Sequence, residues 1–189
     1  MPDRTTMVDI KPESSAQKVA FISGPLDPDD EYFATHYAPQ IDAAAQANHS
    51  FIIGPVAGID TLSLHYLLSQ NVPPSKITVY MAHFEYLNTT WRTQYLDLGV
   101  NVRDVVDAVT TRERDAAMTK DSDYDILRYR TEDEAKKLYG KSWWPRVSNT
   151  EMNERRRTGI FNEAYKLEEN AEGGQGGRNL KERVKNFFK

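Results

Sequence analysis

The sequence predicts an α/β domain of the Rossmann-like kind, a three-layer sandwich around a mainly parallel sheet of about five strands. Three observations carry this. Short β-rich runs alternate with helical patterns along the chain. The helical stretches are long enough to cross over a sheet, which makes the strands they join parallel and the crossovers right-handed. The chain has 189 residues, 39% of them hydrophobic, enough for one such core and too few for two full domains.

Taken in order, the polar, Pro- and Ser-bearing stretch 1–18 has no period and is expected to be a disordered arm. VAFIS (19–23), SFIIG (50–54), ITVYMA (77–82) and DILRYR (125–130) read as strands, with VNVRDVV (100–106) as a weaker fifth. The first helical segment, 27–47, opens on Asp residues suited to an N-cap and places Phe33, Tyr37 and Ile41 four residues apart. Its Pro39 should kink or split it. A second helix begins at Asp60 and presents Leu64, Leu67 and Leu68. A third spans about 110–121 with Thr110 or Thr111 as its cap, and a fourth runs near 150–169.

Two long aromatic-rich segments follow strands, 82–99 and 131–147. They suit lids or a partner surface, or else insertions that Trp91, Tyr95, Trp143 and Trp144 pin to the body. The domain is thus expected over 19–170, followed by a Gly-rich linker at 171–177 and a tail at 178–189. That tail carries five basic residues and one Glu, with Leu180, Val184, Phe187 and Phe188 on one helical face. Its docking on the protein itself or on a fellow subunit is preferred to an acidic partner or a membrane surface.

Composition removes several classes of function. A formal charge of −4 disfavours duplex nucleic acid and single-stranded DNA as partners. The absence of Cys removes disulfides, thiolate zinc sites and Cys nucleophiles. No apolar run approaches the roughly 18 residues of a membrane span, and the first 18 residues lack the apolar core of a signal peptide. A cytoplasmic protein is expected, with a nuclear location as the alternative. There is no GxxxxGK[ST], GxGxxG or GxSxG motif, and His36, His49, His65 and His83 form no metal-binding pair. Neither a metal nor a cofactor is expected.

In such a sheet, ligands bind outside the carboxyl ends of the strands, so the loops at 24–29, 54–60, 82–99 and 130–150 should meet on one rim. Ser23 and Gly24 close the first strand, where a hydroxyl and a bare backbone can meet a phosphate or ribose. Gly54 and Gly58 bracket a strand-to-helix turn, and Asp60 and Thr61 can cap the helix that follows, whose free N–H groups suit an anion. A buried Asp60 would itself repel phosphate, so capping or accepting from a ribose hydroxyl or base edge suits it better. Glu85 lies on the rim past the third strand, as a spare acid for catalysis or one half of an ion pair.

GPVAGIDTLSLHYLL (54–68) resembles the GGARGID-type turn of the DNA-processing protein A family, within the SLOG group of Rossmann-like folds. TRERDAAMTKDSDYDILRYR (111–130) resembles the LONELY GUY (lysine-decarboxylase-like) phosphoribohydrolases, which carry an RKxxM helix, a D-rich turn, a strand and a PGGxGTxxE loop. Here Arg114, Asp115 and Met118 stand at the helix motif, and Ser148, Asn149 and Thr150 stand at the loop. The resemblance covers about residues 19–160 and implies a phosphorylated ligand, with Arg114 pairing to phosphate and the Ser148–Thr150 segment capping a helix and holding it. It also implies a homo-oligomer assembled through helices beside the site.

The departures bear on chemistry. The Gly-Gly pair is missing, and Asn153 stands where that family and the similar nucleoside deoxyribosyltransferases place an essential Glu. An amide is neither a carboxylate nucleophile nor a general base. Glu151 and Glu154 point elsewhere around the helix, whereas Arg156 shares the Asn153 face. The expected function is therefore binding of a nucleotide or nucleoside phosphate. The alternative is an N-glycosidase or deoxyribosyltransferase acting on a nucleoside monophosphate, with Glu85 or Asp60 as a relocated acid and Arg114 clamping phosphate. A third expectation is an interaction protein with a vestigial pocket. For Arg112, Arg114 and the ERRR run (154–157), a solvated helical surface is the ordinary alternative.

Overall fold

Period-two burial organises the sheet. In the computed structural model, which describes residues 17–160, the strands are β1 (Val19–Ser23), β2 (Ser50–Ile53), β3 (Ile77–Ala82), β4 (Asn101–Val105) and β5 (Tyr124–Leu127). All pair in parallel in the order β4-β3-β2-β1-β5. Ala20 and Ile22 of β1, Phe51 and Ile53 of β2, and Val79 and Met81 of β3 enter one hydrophobic cluster, while Phe21, Ile52 and Tyr80 enter another. The alternation places one cluster on each face of the sheet, which is the three-layer sandwich the sequence predicts.

The first face is covered by α1 (Asp30–His36), α2 (Ala38–Gln46) and α3 (Ile59–Ser69), which contribute Phe33, Tyr37, Ile41, Leu64 and Leu67 to the cluster. Each such side chain, fully buried, stabilises the fold by roughly 1.5–3 kcal/mol. Asp29 caps α1, its Oδ1 accepting the Tyr32 N–H at 2.7 Å. The helical segment splits at Tyr37, and Pro39 sits in the first turn of α2, where its missing N–H costs nothing. Segment 82–99 forms α4 (His83–Tyr86) and α5 (Thr89–Asp97), and Trp91 and Tyr95 of α5 pack on the same cluster.

On the second face, α6 (Thr111–Lys120) is opened by a Thr110–Glu113 capping box and sends Met118 into the core. A further helix, α7 (Glu132–Tyr139), is capped by Thr131, and α8 (Asn149–Thr158) packs on α6 and β5. The fourth expected helix, near 150–169, corresponds to α8, and residues 161–169 lie outside the described residues. The helix ends at Gly159, which adopts φ 76° in the left-handed region that favours glycine as a terminator.

Order begins before Val19, because the Gln17 side chain already donates to the Asn48 carbonyl at 3.2 Å and to Ser50 Oγ at 2.9 Å. The rest of the arm, the linker at 171–177 and the basic tail at 178–189 lie outside the described residues. Among the described residues no helix is long and apolar enough to cross a membrane.

Candidate functional site

The chain order runs from β1 through β2 and β3 to β4 on one side, then returns to place β5 on the other side of β1. Such a reversal opens a crevice at the carboxyl ends of the two strands flanking it. Ser23, the last residue of β1, pairs in register with Leu127, the last of β5. From α8, the buried Asn153 donates through Nδ2 to Ser23 Oγ at 3.4 Å, and its Oδ1 accepts from Arg156 Nη1 at 2.6 Å. Arg156 is half-buried and makes no ion pair among the described residues. Burial holds its guanidinium below the usual arginine value, against the pull of Asp115, and Arg112 adds to the depression.

At the head of α8, Ser148 is the N-cap, its Oγ accepting the Glu151 N–H at 3.0 Å. Its hydroxyl thus serves the helix, while Asn149 is exposed and Thr150 buried in the first turn. Three small or polar residues at this place therefore divide into a cap, a surface residue and a core contact.

The glycines bring the chain close to itself. A Cβ on Gly24 would lie 2.3 Å from Tyr37 Oη and 2.4 Å from Ile59 Cγ1. That fully buried hydroxyl accepts the Arg128 N–H at 2.9 Å and lies 3.0 and 2.9 Å from the Ser23 and Arg128 carbonyls, tying the ends of β1 and β5 together. Gly58 adopts φ +82°, and a Cβ there would meet the Pro25 carbonyl oxygen at 2.3 Å. The Ile59 N–H, first of α3, donates to that same oxygen at 3.1 Å. This corrects the expected capping: Gly58 is the N-cap of α3, and Thr61 instead donates to the Val56 carbonyl at 2.8 Å, fastening the turn from within.

Behind Gly54 lies a buried charge cluster. Arg114 Nη1 contacts both Glu85 oxygens, at 2.7 and 3.0 Å, and its Nε and Nη2 reach Asp115 Oδ1 at 3.1 and 2.9 Å. Glu85 also accepts the Ala82 N–H at 2.8 Å. Burial alone would depress the Arg114 pKa, yet Asp115 and Glu85 hold it above the usual value. A Cβ on Gly54 would stand 2.4 Å from Asp60 Oδ2 and 3.4 Å from Arg114 Nη2, so the missing side chain lets a third carboxyl approach the guanidinium. Burial pushes Asp60 up to about 7, with Arg114 opposing and Asp115 and Glu85 adding to the rise. Tyr95 of α5 closes the cluster by donating to the Pro55 carbonyl at 3.1 Å.

The expectation for Arg114 as an open phosphate clamp is therefore corrected. All three of its guanidinium nitrogens bond to carboxylates, and the surrounding carboxyls outnumber the one cation, so an added anion would be repelled. Glu85 takes the ion-pair role. Several of the expected segments do meet: Ser23 and Gly24, the Gly54–Thr61 turn, Glu85, Arg114 and Asn153 of α8 surround one end of the sheet, whereas no hydrogen bond among the described residues joins the Ser148–Thr150 segment to them. Sequence reasoning missed Tyr37, Arg128 and Arg130. The signal was present in the Arg-Tyr-Arg run at 128–130, which continues the last strand beyond its final paired residue, Leu127.

Two open surface depressions, of about 460 and 360 Å³, lie at the opposite, amino end of the sheet. The first is bordered by His49, Tyr124 and Ile126, the second by Asn48, Val72 and Lys76. Among the described residues no three His, Asp or Glu side chains are grouped to hold a metal ion. Comparison with protein-family models, with curated proteins and with solved structures gives no match for this chain.

Proposed function

We propose that the protein binds a nucleotide or nucleoside phosphate in the manner of the SLOG group, with the phosphate seated at the β1–β5 crevice. The observation that carries the reading is Arg156: a half-buried guanidinium without a carboxylate partner among the described residues, oriented by Asn153 beside the Ser23 hydroxyl. A guanidinium held in this way retains donors for a phosphate and needs little reorganisation to use them. Arg114 contributes by holding the floor of the site through Glu85 and Asp115. A homo-oligomer belongs to the same reading, supported by the resemblance.

A second reading, N-glycosidic bond cleavage or deoxyribosyl transfer on a nucleoside monophosphate, draws on Asp60. A carboxyl that titrates near 7 beside the Gly54 turn suits proton transfer to a departing base at neutral pH. Asn153 in place of a carboxylate weighs against it, since among the described residues no carboxylate then stands beside Ser23 in the seat to act as nucleophile or to stabilise an oxocarbenium-like centre.

Thermal melting with the four ribonucleoside and four deoxyribonucleoside 5′-monophosphates, followed by chromatography for free base, tests both. Binding predicts a raised melting temperature with the nucleotide recovered intact. Release of base that stops in Asp60→Asn would replace the first reading with the second, and no stabilisation by any nucleotide would remove both.

A further inference from the structure

The α1 side of the same crevice carries a second cationic feature. Arg128 and Arg130 follow β5 and project to one side, with guanidinium carbons 4.8 and 5.1 Å from the centre of the Tyr32 ring. Tyr129 between them turns to the α8 side, donating to Glu154 at 2.9 Å. Each arginine has one carboxylate partner: Glu134 lies 2.5 Å from Arg128 Nη2, and Asp27 lies 2.6 Å from Arg130 Nη1. The exposures are unequal. The Arg130 and Arg128 side chains are 12% and 25% exposed, whereas Asp27 and Glu134 are 47% and 41% exposed.

This pairing is the reverse of that around Arg114, where cation and carboxylates are equally buried. Here two cations lie over an aromatic ring and their counter-ions are the more exposed partners, each with a second hold. Glu134 accepts the Thr131 N–H at 2.8 Å and Asp27 accepts the Tyr139 hydroxyl at 3.2 Å, so a stronger anion could replace them at the guanidinium groups while they keep those bonds. Arg128 Nη1 is also buried and has no hydrogen-bond partner, an orphaned donor of a kind that folded proteins rarely leave unused. The distance to the proposed phosphate seat is short in the fold: Tyr37 Oη bridges the Ser23 carbonyl and the Arg128 backbone, so the two arginines and the Ser23–Asn153–Arg156 group flank one point of the sheet from its two faces.

We infer that the protein selects nucleotides carrying two or more phosphates, the proximal group held by Arg156 and Asn153 and the distal group by Arg128 and Arg130 in place of their exposed carboxylates. The inference rests on the nucleotide reading above and adds the class of ligand to it. A polyphosphate chain crossing the ends of β1 and β5 would meet guanidinium groups on both sides, whereas a monophosphate would meet only one.

The test measures equilibrium binding of the four ribonucleoside monophosphates and the matching triphosphates to the full chain at fixed magnesium and ionic strength, for the native protein, Arg130→Gln and Asp27→Asn. The native protein should bind at least one triphosphate ten-fold or more tighter than its monophosphate. Arg130→Gln should remove most of that preference and leave the monophosphate Kd unchanged. Asp27→Asn, which keeps both arginines and removes an exposed counter-ion, should tighten triphosphate binding several-fold without affecting the monophosphate. Equal affinity for mono- and triphosphates, or a preference untouched in both variants, would overturn this inference while leaving the nucleotide reading intact. Failure of every nucleotide to bind the native protein would instead overturn that reading, and this inference with it.

Discussion

Arg156 donates to the Asn153 amide oxygen at 2.6 Å, and that amide in turn donates to Ser23 at the end of the central strand. A neutral partner orients the guanidinium without cancelling its charge. Arg114, on the neighbouring helix, is held by two buried carboxylates and is electrically satisfied. The sequence reading assigned phosphate to Arg114, yet Arg114 is the neutralised arginine, and Arg156 is the one that keeps an uncancelled charge for the proposed ligand.

Removal of Arg114 should destabilise the protein rather than merely weaken binding. Arg114→Ala leaves Glu85 and Asp115 buried without their cation, a change that costs about 3–5 kcal/mol. Urea denaturation of Arg114→Ala and Arg156→Gln should show that loss in the former and a change within about 1 kcal/mol in the latter. A fully stable Arg114→Ala with lost nucleotide affinity would place that guanidinium in the ligand site after all.

Gly58→Ala tests the crossing of the two rim loops. The residue holds φ +82°, and a Cβ would meet the Pro25 carbonyl oxygen at 2.3 Å, a backbone atom that cannot swing aside. Destabilisation of about 2–4 kcal/mol is expected, from backbone strain together with the clash. A melting curve like that of the native protein would show that the loops separate freely.

Much of this architecture was legible in advance because it depends on local patterns. Alternating β-branched and aromatic runs gave the five strands, and Pro39 marked where the first helix divides. The end of α8 is not set by a period: Gly159 takes a left-handed conformation there, a single-residue signal that helical spacing does not carry. The site was legible as a meeting of segments, but not in its pairing. Which carboxylate neutralises Arg114 depends on Glu85, 29 residues away in sequence, and the tie between β1 and β5 depends on Tyr37, 91 residues from Arg128. Such contacts have no sequence period.

The pH dependence of stability should carry the mark of Asp60. Its carboxyl ionises near the ordinary 3.8 when unfolded and at about 7 in the native protein. Between those values the native state keeps a proton that the unfolded chain has released, so this contribution falls as pH rises through the window and is flat above it. Asp60→Asn should be the more stable protein at pH 8, by on the order of 2–4 kcal/mol, and should lack this fall between pH 4 and 7. A variant less stable than the native protein at pH 8 would mean that the carboxylate is ionised and paired to Arg114.

Asn153→Asp places a carboxylate against Arg156 in nearly the same shape. Phosphate affinity should drop ten-fold or more, through neutralisation of the guanidinium and repulsion of the ligand, while the helix remains folded. Isothermal titration against the best-bound monophosphate and a circular dichroism melt together check this. Retained affinity would mean that the phosphate lies elsewhere on the rim.

The central claim is that Arg156 is the cation that receives a nucleotide phosphate. Titration calorimetry of the native protein and of Arg156→Gln with the tightest-binding nucleoside monophosphate addresses it directly. The account predicts a loss of at least ten-fold, about 1.4 kcal/mol or more, with an unaltered melting temperature of the free protein. Equal affinity in a folded Arg156→Gln would contradict it.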